Sequence, residues 1–265
     1  MNAPNREALL SLFDRERREH SRPDGPGVRV EHTGDVVRQS GTADDWNGVV
    51  WSDPGLDPAR ADAVIAAQVA HYAALGHDAF EWKLYGHDRP AGLADRLLAA
   101  GFEAEERETL MVAPVGEVST EPVLPEGVRL RTVRDAADVE LMVRAGERAF
   151  GTPQPHLRHQ VLTRLAEDPD DFVGVLAMAG EEPVSSARME LYAGTGFAGL
   201  WGGGTVEEWR GKGVYRALVA FRARIAAERG YRYLQVDALE TSRPILQRLG
   251  FLALTSTTPF VHRSH

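Results

Sequence analysis

The segment Trp201–Leu218, WGGGTVEEWRGKGVYRAL, carries the residues best suited to chemistry. An apolar strand runs out at Val206, a short loop follows, and Arg210-Gly211-Lys212-Gly213 opens a helix. Glycines let successive backbone N–H groups turn inward. The new helix adds unpaired N–H groups and a dipole that favours negative charge. Arg210, Lys212 and Arg216 place positive charge round the same spot. The natural occupant is a phosphate or pyrophosphate. A Walker loop needs Gly-Lys followed by Ser or Thr, and here Lys212 is followed by Gly213. A dinucleotide loop needs G-x-G-x-x-G, and Arg216 stands where the third glycine belongs. Neither pattern is complete.

The run Val-x-x-x-Arg-Gly-x-Gly-Val, with an amphipathic helix beginning inside it, resembles motif A of the GNAT acetyltransferase superfamily. The family pattern R-x-x-G-x-G/A reads here as Arg210, Gly213 and Tyr215, the last departing from the usual Gly or Ala. The resemblance extends in element order from Val128 to the C-terminus and includes Leu249-Gly250-Phe251, a frequent family signature. It implies an α/β (α+β) fold with a mixed, mostly antiparallel central sheet flanked by helices. It also implies acetyl-CoA as co-substrate, and transfer of the acetyl group to a primary amine of a small molecule by direct attack in a ternary complex. Thr205 and Val206 would pair their backbone with the pantetheine arm. The pyrophosphate would lie on Arg210, Gly211, Lys212, Gly213, Val214, Tyr215 and Arg216.

Such a transfer needs a base for the amine and a proton for the leaving thiolate. No enzyme nucleophile is required, so the absence of cysteine is no obstacle. The family often supplies the proton from a Tyr four residues before the Gly of Gly-Phe; that position is Leu246 here, and the usual upstream Asn falls near Leu239. Tyr215, Tyr192, Ser242 or water remain as proton donors. Glu190, near the end of the strand before the motif, and Asp237, at the end of the strand after it, are the candidate bases. Each has a plainer role open to it: Glu190 as a solvated strand end, Asp237 as a cap for the next loop, Ser242 as an N-cap before Pro244. Trp201 is either core or a wall of the acceptor pocket. The missing Tyr leaves a second reading, a non-catalytic acyl-CoA-binding or interaction protein.

Positioning these residues falls to elements that occur twice. Val49-Val50-Trp51 is a strand, Ala59–Leu75 a helix, Ala79–Leu84 a strand, and a second helix ends at Gly101-Phe102. Phe197–Val206, Val214–Arg229, Tyr231–Ala238 and a helix ending at Gly250-Phe251 repeat that order. The second set is preceded by a strand at Val128–Arg131, helices at Ala136–Phe150 and His156–Leu165, and a hairpin from Phe172 to Tyr192. An internal duplication is expected, with a shortened first copy. The expected boundaries are an N-terminal helix in 1–24, a degenerate GNAT-like domain in 25–115, a Pro/Gly-rich linker in 116–126, and an acetyl-CoA-binding domain in 127–265. The first copy's loop, Ser52–Pro58, is acidic and contains two prolines, which lack N–H donors. It should repel a phosphate.

The 265 residues carry a formal charge of −9, with 43% hydrophobic and 26% charged residues, values of a globular chain. Residues 1–120 hold 12 Lys and Arg against 21 Asp and Glu, net −9; residues 121–265 hold 18 of each. That balance argues against nucleic acid as a partner, since displacing counterions from phosphate needs a basic surface. No run of about 18 apolar residues suggests a membrane span. With no cysteine, a cytoplasmic location is the default. His156 and His159 lack further ligands at metal-site spacing, so no metal is expected. The expected partner is a small amine acceptor, and the expected state monomer or homodimer.

Overall fold

Alternating apolar residues, punctuated by glycine after most helices, build mixed sheet flanked by helices in a computed structural model that describes residues 5–264. The first half runs α1 (Arg6–Phe13), β1 (Arg29–His32), β2 (Val36–Ser40), β3 (Gly48–Ser52), α2 (Ala61–Ala74), β4 (Ala79–Tyr85), α3 (Leu93–Ala99), β5 (Phe102–Ala104) and β6 (Glu108–Pro114). The second runs β7 (Val128–Thr132), α4 (Ala136–Phe150), α5 (Leu157–Glu167), β8 (Phe172–Ala179), β9 (Glu182–Leu191), β10 (Phe197–Thr205), α6 (Val214–Glu228), β11 (Tyr233–Ala238), α7 (Arg243–Arg248) and β12 (Leu252–Arg263).

The chain folds into two compact units. The first takes in the described residues up to Leu110, together with Asp237–Arg243 and the segment from Ala253 on. The second takes in Met111–Val236 and Pro244–Leu252. The chain's last strand therefore belongs with its first half: β12 pairs antiparallel with β4, from Thr257 opposite Tyr85 to Arg263 opposite Ala79. In the first unit the strand order is β1-β2-β3-β4-β12, with β5 also on β12. In the second unit it is β6-β11-β10-β9-β8-β7. Pairing is mostly antiparallel; β3–β4 and β10–β11 are parallel.

The first unit's core packs Val64, Ile65 and Tyr72 of α2 and Leu93 and Leu97 of α3 on Val36, Val49, Phe80 and Trp82. In the second unit the sheet is covered on both faces. Val139, Met142 and Ala145 of α4 with Leu157 and Val161 of α5 pack on Phe172, Leu176 and Met178. Val214 and Leu218 of α6 pack on Val175, Ala177, Val184 and Ala187 from the other side. Alternate residues of β8 thus serve opposite helical layers, as strand period dictates.

Two differences from the sequence expectations have local causes. β1 and β2 lie in a stretch without a readable period, because β1 is an exposed edge strand that buries almost nothing. The helix expected from Asn5 to His20 is α-helical only to Phe13 and continues as a π-helical turn, Asp14–Glu19. That turn buries Arg18.

Candidate functional site

β10 and β11 lie parallel only from Phe197 opposite Tyr233 to Gly199 opposite Gln235. Beyond Gly199, β10 continues along β9 alone, so the edge from Leu200 to Thr205 turns away from its parallel neighbour. In the same stretch a β-bulge interrupts the β9–β10 ladder: Trp201 faces Arg188, yet Gly204 faces Ser186. One extra residue sits on β10, and Gly202 takes φ +56° to accommodate it. A buried cation attends this bulge. Arg222 of α6, 1% exposed, donates from Nη1 to the Arg188 carbonyl at 2.9 Å and from Nε to the Leu218 carbonyl at 3.0 Å. Burial pushes its pKa down to about 10, against the opposing pull of Tyr215.

The strand then passes through a 3₁₀ turn, Glu207–Trp209, into the glycine loop. Gly211 and Gly213 have φ of +74° and +87°, and Gly213 is the N-cap of α6 with no side chain capping the helix. A Cβ on Gly211 would meet nothing within 4 Å, so the cradle is open. The N–H groups of the first helical turn lack intrahelical acceptors; the ladder starts with the Ala217 N–H on the Gly213 carbonyl at 3.0 Å. Val214 is buried and Arg216 exposed. Lys212 is exposed with its Nζ 4.7 Å from the Trp209 ring centroid. These features fit a pyrophosphate.

Some side chains in the same motif are already engaged. Arg210 donates from Nε to the Thr205 carbonyl at 3.1 Å and from Nη2 to the Ala149 carbonyl at 2.9 Å. It ties the end of β10 to the end of α4. The Val206 N–H is bonded to the Val184 carbonyl at 3.0 Å, and the Ser185 hydroxyl donates to the Gly204 carbonyl at 2.6 Å. Tyr215 packs against β10 at Gly203, where a Cβ would stand 2.9 Å from its Cε2. The unusual Tyr therefore fits because Gly203 has no side chain. Burial raises the Tyr215 pKa and Arg222 partly offsets it, so the hydroxyl stays protonated.

On the face that α4 and α5 cover, β9 and β10 bring Arg188, Glu190 and Trp201 together beside Tyr192. Glu190 faces Phe172, and Arg188 faces Gly174 and Trp201, which fixes the side on which they project. Trp201 Nε1 donates to the Tyr192 hydroxyl at 3.0 Å, which in turn donates to Glu190 Oε2 at 3.3 Å. The carboxylate ends a donor chain. Of the proposed proton-handling groups, Glu190 and Tyr192 are thus adjacent, and Trp201 joins them. Arg188 and Arg222 escaped notice in the sequence; an arginine on an otherwise apolar helix face was the available signal for Arg222.

Asp237 and Ser242 are placed in the first unit. Asp237, with a side chain 2% exposed, forms an ion pair with Lys83 at 2.6 Å. Glu108 lies 3.9 Å from the same ammonium. Burial would lower the Lys83 pKa, but Asp237 and its neighbours hold it well above the usual lysine value. Asp237 is thereby a counter-ion. The Ser242 hydroxyl donates back to the Leu239 carbonyl at 3.1 Å, closing the turn before α7.

The first unit also holds a parallel pair that separates early, and a side chain fills the gap. β3 and β4 are parallel only at Gly48–Glu81 and Val49–Trp82, and β3 is also bulged. Arg18 enters there, 3% exposed, donating from Nε to the Val50 carbonyl at 3.0 Å. Its other nitrogens bond Asp14 at 2.8 Å and both Asp88 oxygens at 2.8 and 2.7 Å, and it lies 4.0 Å over the Tyr85 ring. The following loop consumes its own donors: the Gly55 N–H bonds Asp53 Oδ1 at 2.6 Å and the Ala59 N–H bonds Asp57 Oδ1 at 2.9 Å. Arg18 thus occupies this splay, and two N–H groups of the loop are bonded to the loop's own aspartates. Among the described residues, no three His, Asp or Glu side chains gather to hold a metal ion, and no helix is long and apolar enough to cross a membrane.

Residues 140–251 match the family model described as Acetyltransferase (GNAT) family. No curated protein sequence matches the chain. Among solved structures it is similar to a GCN5-related N-acetyltransferase from Kribbella flavida, with 22% identity, TM-score 0.68, and 98% of this chain and 95% of that one covered. A second from Sphaerobacter thermophilus has 16% identity and TM-score 0.61, covering 88% and 82%. A tandem GNAT protein from the clavulanic acid biosynthesis pathway has 13% identity and TM-score 0.58, covering 99% and 97%. These likenesses establish a shared GNAT fold.

Proposed function

We infer, from a chain whose residues 140–251 match the GNAT acetyltransferase family model, an N-acyltransferase that moves an acetyl group from acetyl-CoA to the primary amine of a small molecule. The observation that carries the reading is the departure of β10 from β11 after Gly199, directly before the open Gly211–Gly213 cradle. Acetyl-CoA, when bound, supplies a thioester carbonyl already activated toward amines. Backbone N–H groups of residues 213–216, with Lys212 and Arg216, would hold its pyrophosphate; the splayed edge of β10 would take the pantetheine arm. Glu190 accepts the amine proton, and the Tyr192 hydroxyl, which donates to it, keeps the carboxylate oriented. Tyr215 is held protonated under β10 and is the remaining proton donor among the motif's side chains.

One observation favours a non-catalytic acyl-CoA binder instead. Leu246, fully buried, occupies the position where the resemblance implies a tyrosine. Calorimetric titration with acetyl-CoA tests both readings at once: no binding at near-millimolar ligand removes them. Lys212→Glu is expected to weaken binding through charge, and Gly213→Asp to weaken it more, since φ +87° also strains any side chain. An amine panel read by free CoA release then separates the two, because turnover above the enzyme-free rate excludes the binder.

A further inference from the structure

We propose that the acceptor is zwitterionic, an amino acid whose carboxylate docks on Arg188 while its amine meets Glu190. This rests on the acyltransferase reading above and names the substrate class of the same site.

Arg188 and Glu190 are two residues apart on β9 and project to one face, with Trp201 directly across from Arg188. A Cβ on Gly202 would stand 3.2 Å from Arg188 Nη1, which puts the guanidinium across the bulge of β10. The two side chains are 26% and 20% exposed, so each keeps access to solvent. Arg188 Nε lies 3.9 Å from Glu190 Oε1, an ion pair too long for a hydrogen bond. The buried pair Arg18–Asp88, by contrast, closes to 2.7 Å. Glu190 is held back by its place at the end of the Trp201–Tyr192 donor chain. The β9 backbone at Arg188 is held by buried Arg222, which donates to the Arg188 carbonyl.

A cation and an oriented anion, 3.9 Å apart on one face, form the complement of a molecule bearing a carboxylate and an amine on neighbouring atoms. A guanidinium matches a carboxylate fork to fork, which makes the acid end the specificity handle. A simple amine would leave Arg188 unused. Binding a carboxylate there would also set the amine on the Glu190 side, where its proton is to be removed.

The test is a steady-state assay of wild-type protein with acetyl-CoA and each proteinogenic L-amino acid. The best substrate is then compared with its α-carboxamide and its decarboxylated amine. The free acid is expected to exceed both in kcat/KM by about tenfold or more, the factor one charge-assisted pair supplies. Arg188→Gln should raise KM for the acid with little change in kcat and bring the acid-to-carboxamide ratio near one. Equal or better turnover of carboxamides or plain amines overturns the proposal and leaves the acyltransferase reading standing. So does an unchanged ratio in Arg188→Gln, or turnover of no amino acid by protein that binds acetyl-CoA. Failure to bind acetyl-CoA at all refutes the underlying reading instead.

Discussion

Gly203 and Tyr215 form a complementary pair that can be taken apart by substitution. A methyl on Gly203 would stand 2.9 Å from Tyr215 Cε2, well inside the about 3.5–4.0 Å at which carbon atoms rest. Gly203 does not have a positive φ, so alanine meets no backbone strain there. By restricting the unfolded chain it would on its own stabilise by about 0.4–1 kcal/mol. Forcing a methyl into a filled site costs about 1–3 kcal/mol and outweighs that gain. Gly203→Ala is therefore expected to destabilise by about 1–2 kcal/mol, with Tm lower by about 2–8 °C for a protein of this size. In Gly203→Ala combined with Tyr215→Ala, the methyl enters space the ring has left. The two losses then fail to add, with a coupling of about 1–3 kcal/mol. Urea denaturation of the wild type, both single variants and the double variant gives the cycle. Additivity within about 0.5 kcal/mol would refute the packing of the ring under β10, and with it the explanation of how this loop tolerates a tyrosine where the family uses Gly or Ala.

Asp237→Asn should remove the nearest counter-ion of the buried Lys83 ammonium and cost about 3–5 kcal/mol; Lys83→Met in the same chain should restore most of it, as measured by denaturant midpoint. Burial pushes the Glu108 pKa up to about 7, from an ordinary value of 4.5. The folded protein then holds a proton that the unfolded chain has lost, so stability falls as pH rises from about 4.5 through 7. Glu108→Gln should flatten that slope, and an unchanged pH profile counts against it. Arg222→Met leaves the Arg188 carbonyl unpaired at the bulge and should cost about 1–3 kcal/mol, with faster amide hydrogen exchange at Gly202–Gly204. Arg18→Met should lower stability by removing the group that fills the splayed strand of the first unit, while acetyl-CoA stoichiometry stays at one per chain; a second bound equivalent would contradict the self-bonded loop at Asp53–Asp57.

Local features carried well from sequence. The loop at Arg210–Gly213, the helix from Val214, the hairpin from Phe172 and the glycines that end α3 and α7 follow from composition and spacing over a few residues. Glycine at φ +74° and +87° is needed wherever the backbone must turn that way, so Gly211 and Gly213 announced themselves. The acidic, proline-bearing loop of the first unit is equally readable, because charge and the missing N–H are properties of the residues.

What tertiary structure alone decided is the fate of charged side chains. Asp237 and Glu190 looked equivalent in the sequence, each a carboxylate near a strand end. Lys83, more than 150 residues upstream, pairs with the first, whereas the Trp201–Tyr192 chain orients the second. The Arg210 side chain bonds the Thr205 and Ala149 carbonyls because α4 ends beside it. The same holds for β12, which pairs with β4 across a long stretch of chain. A buried charge must find its counter-ion, and a strand edge its partner, wherever the fold brings one within about 3 Å. Sequence spacing fixes the donor, the acceptor and the turn. Which of them meet depends on how the strands and helices close up.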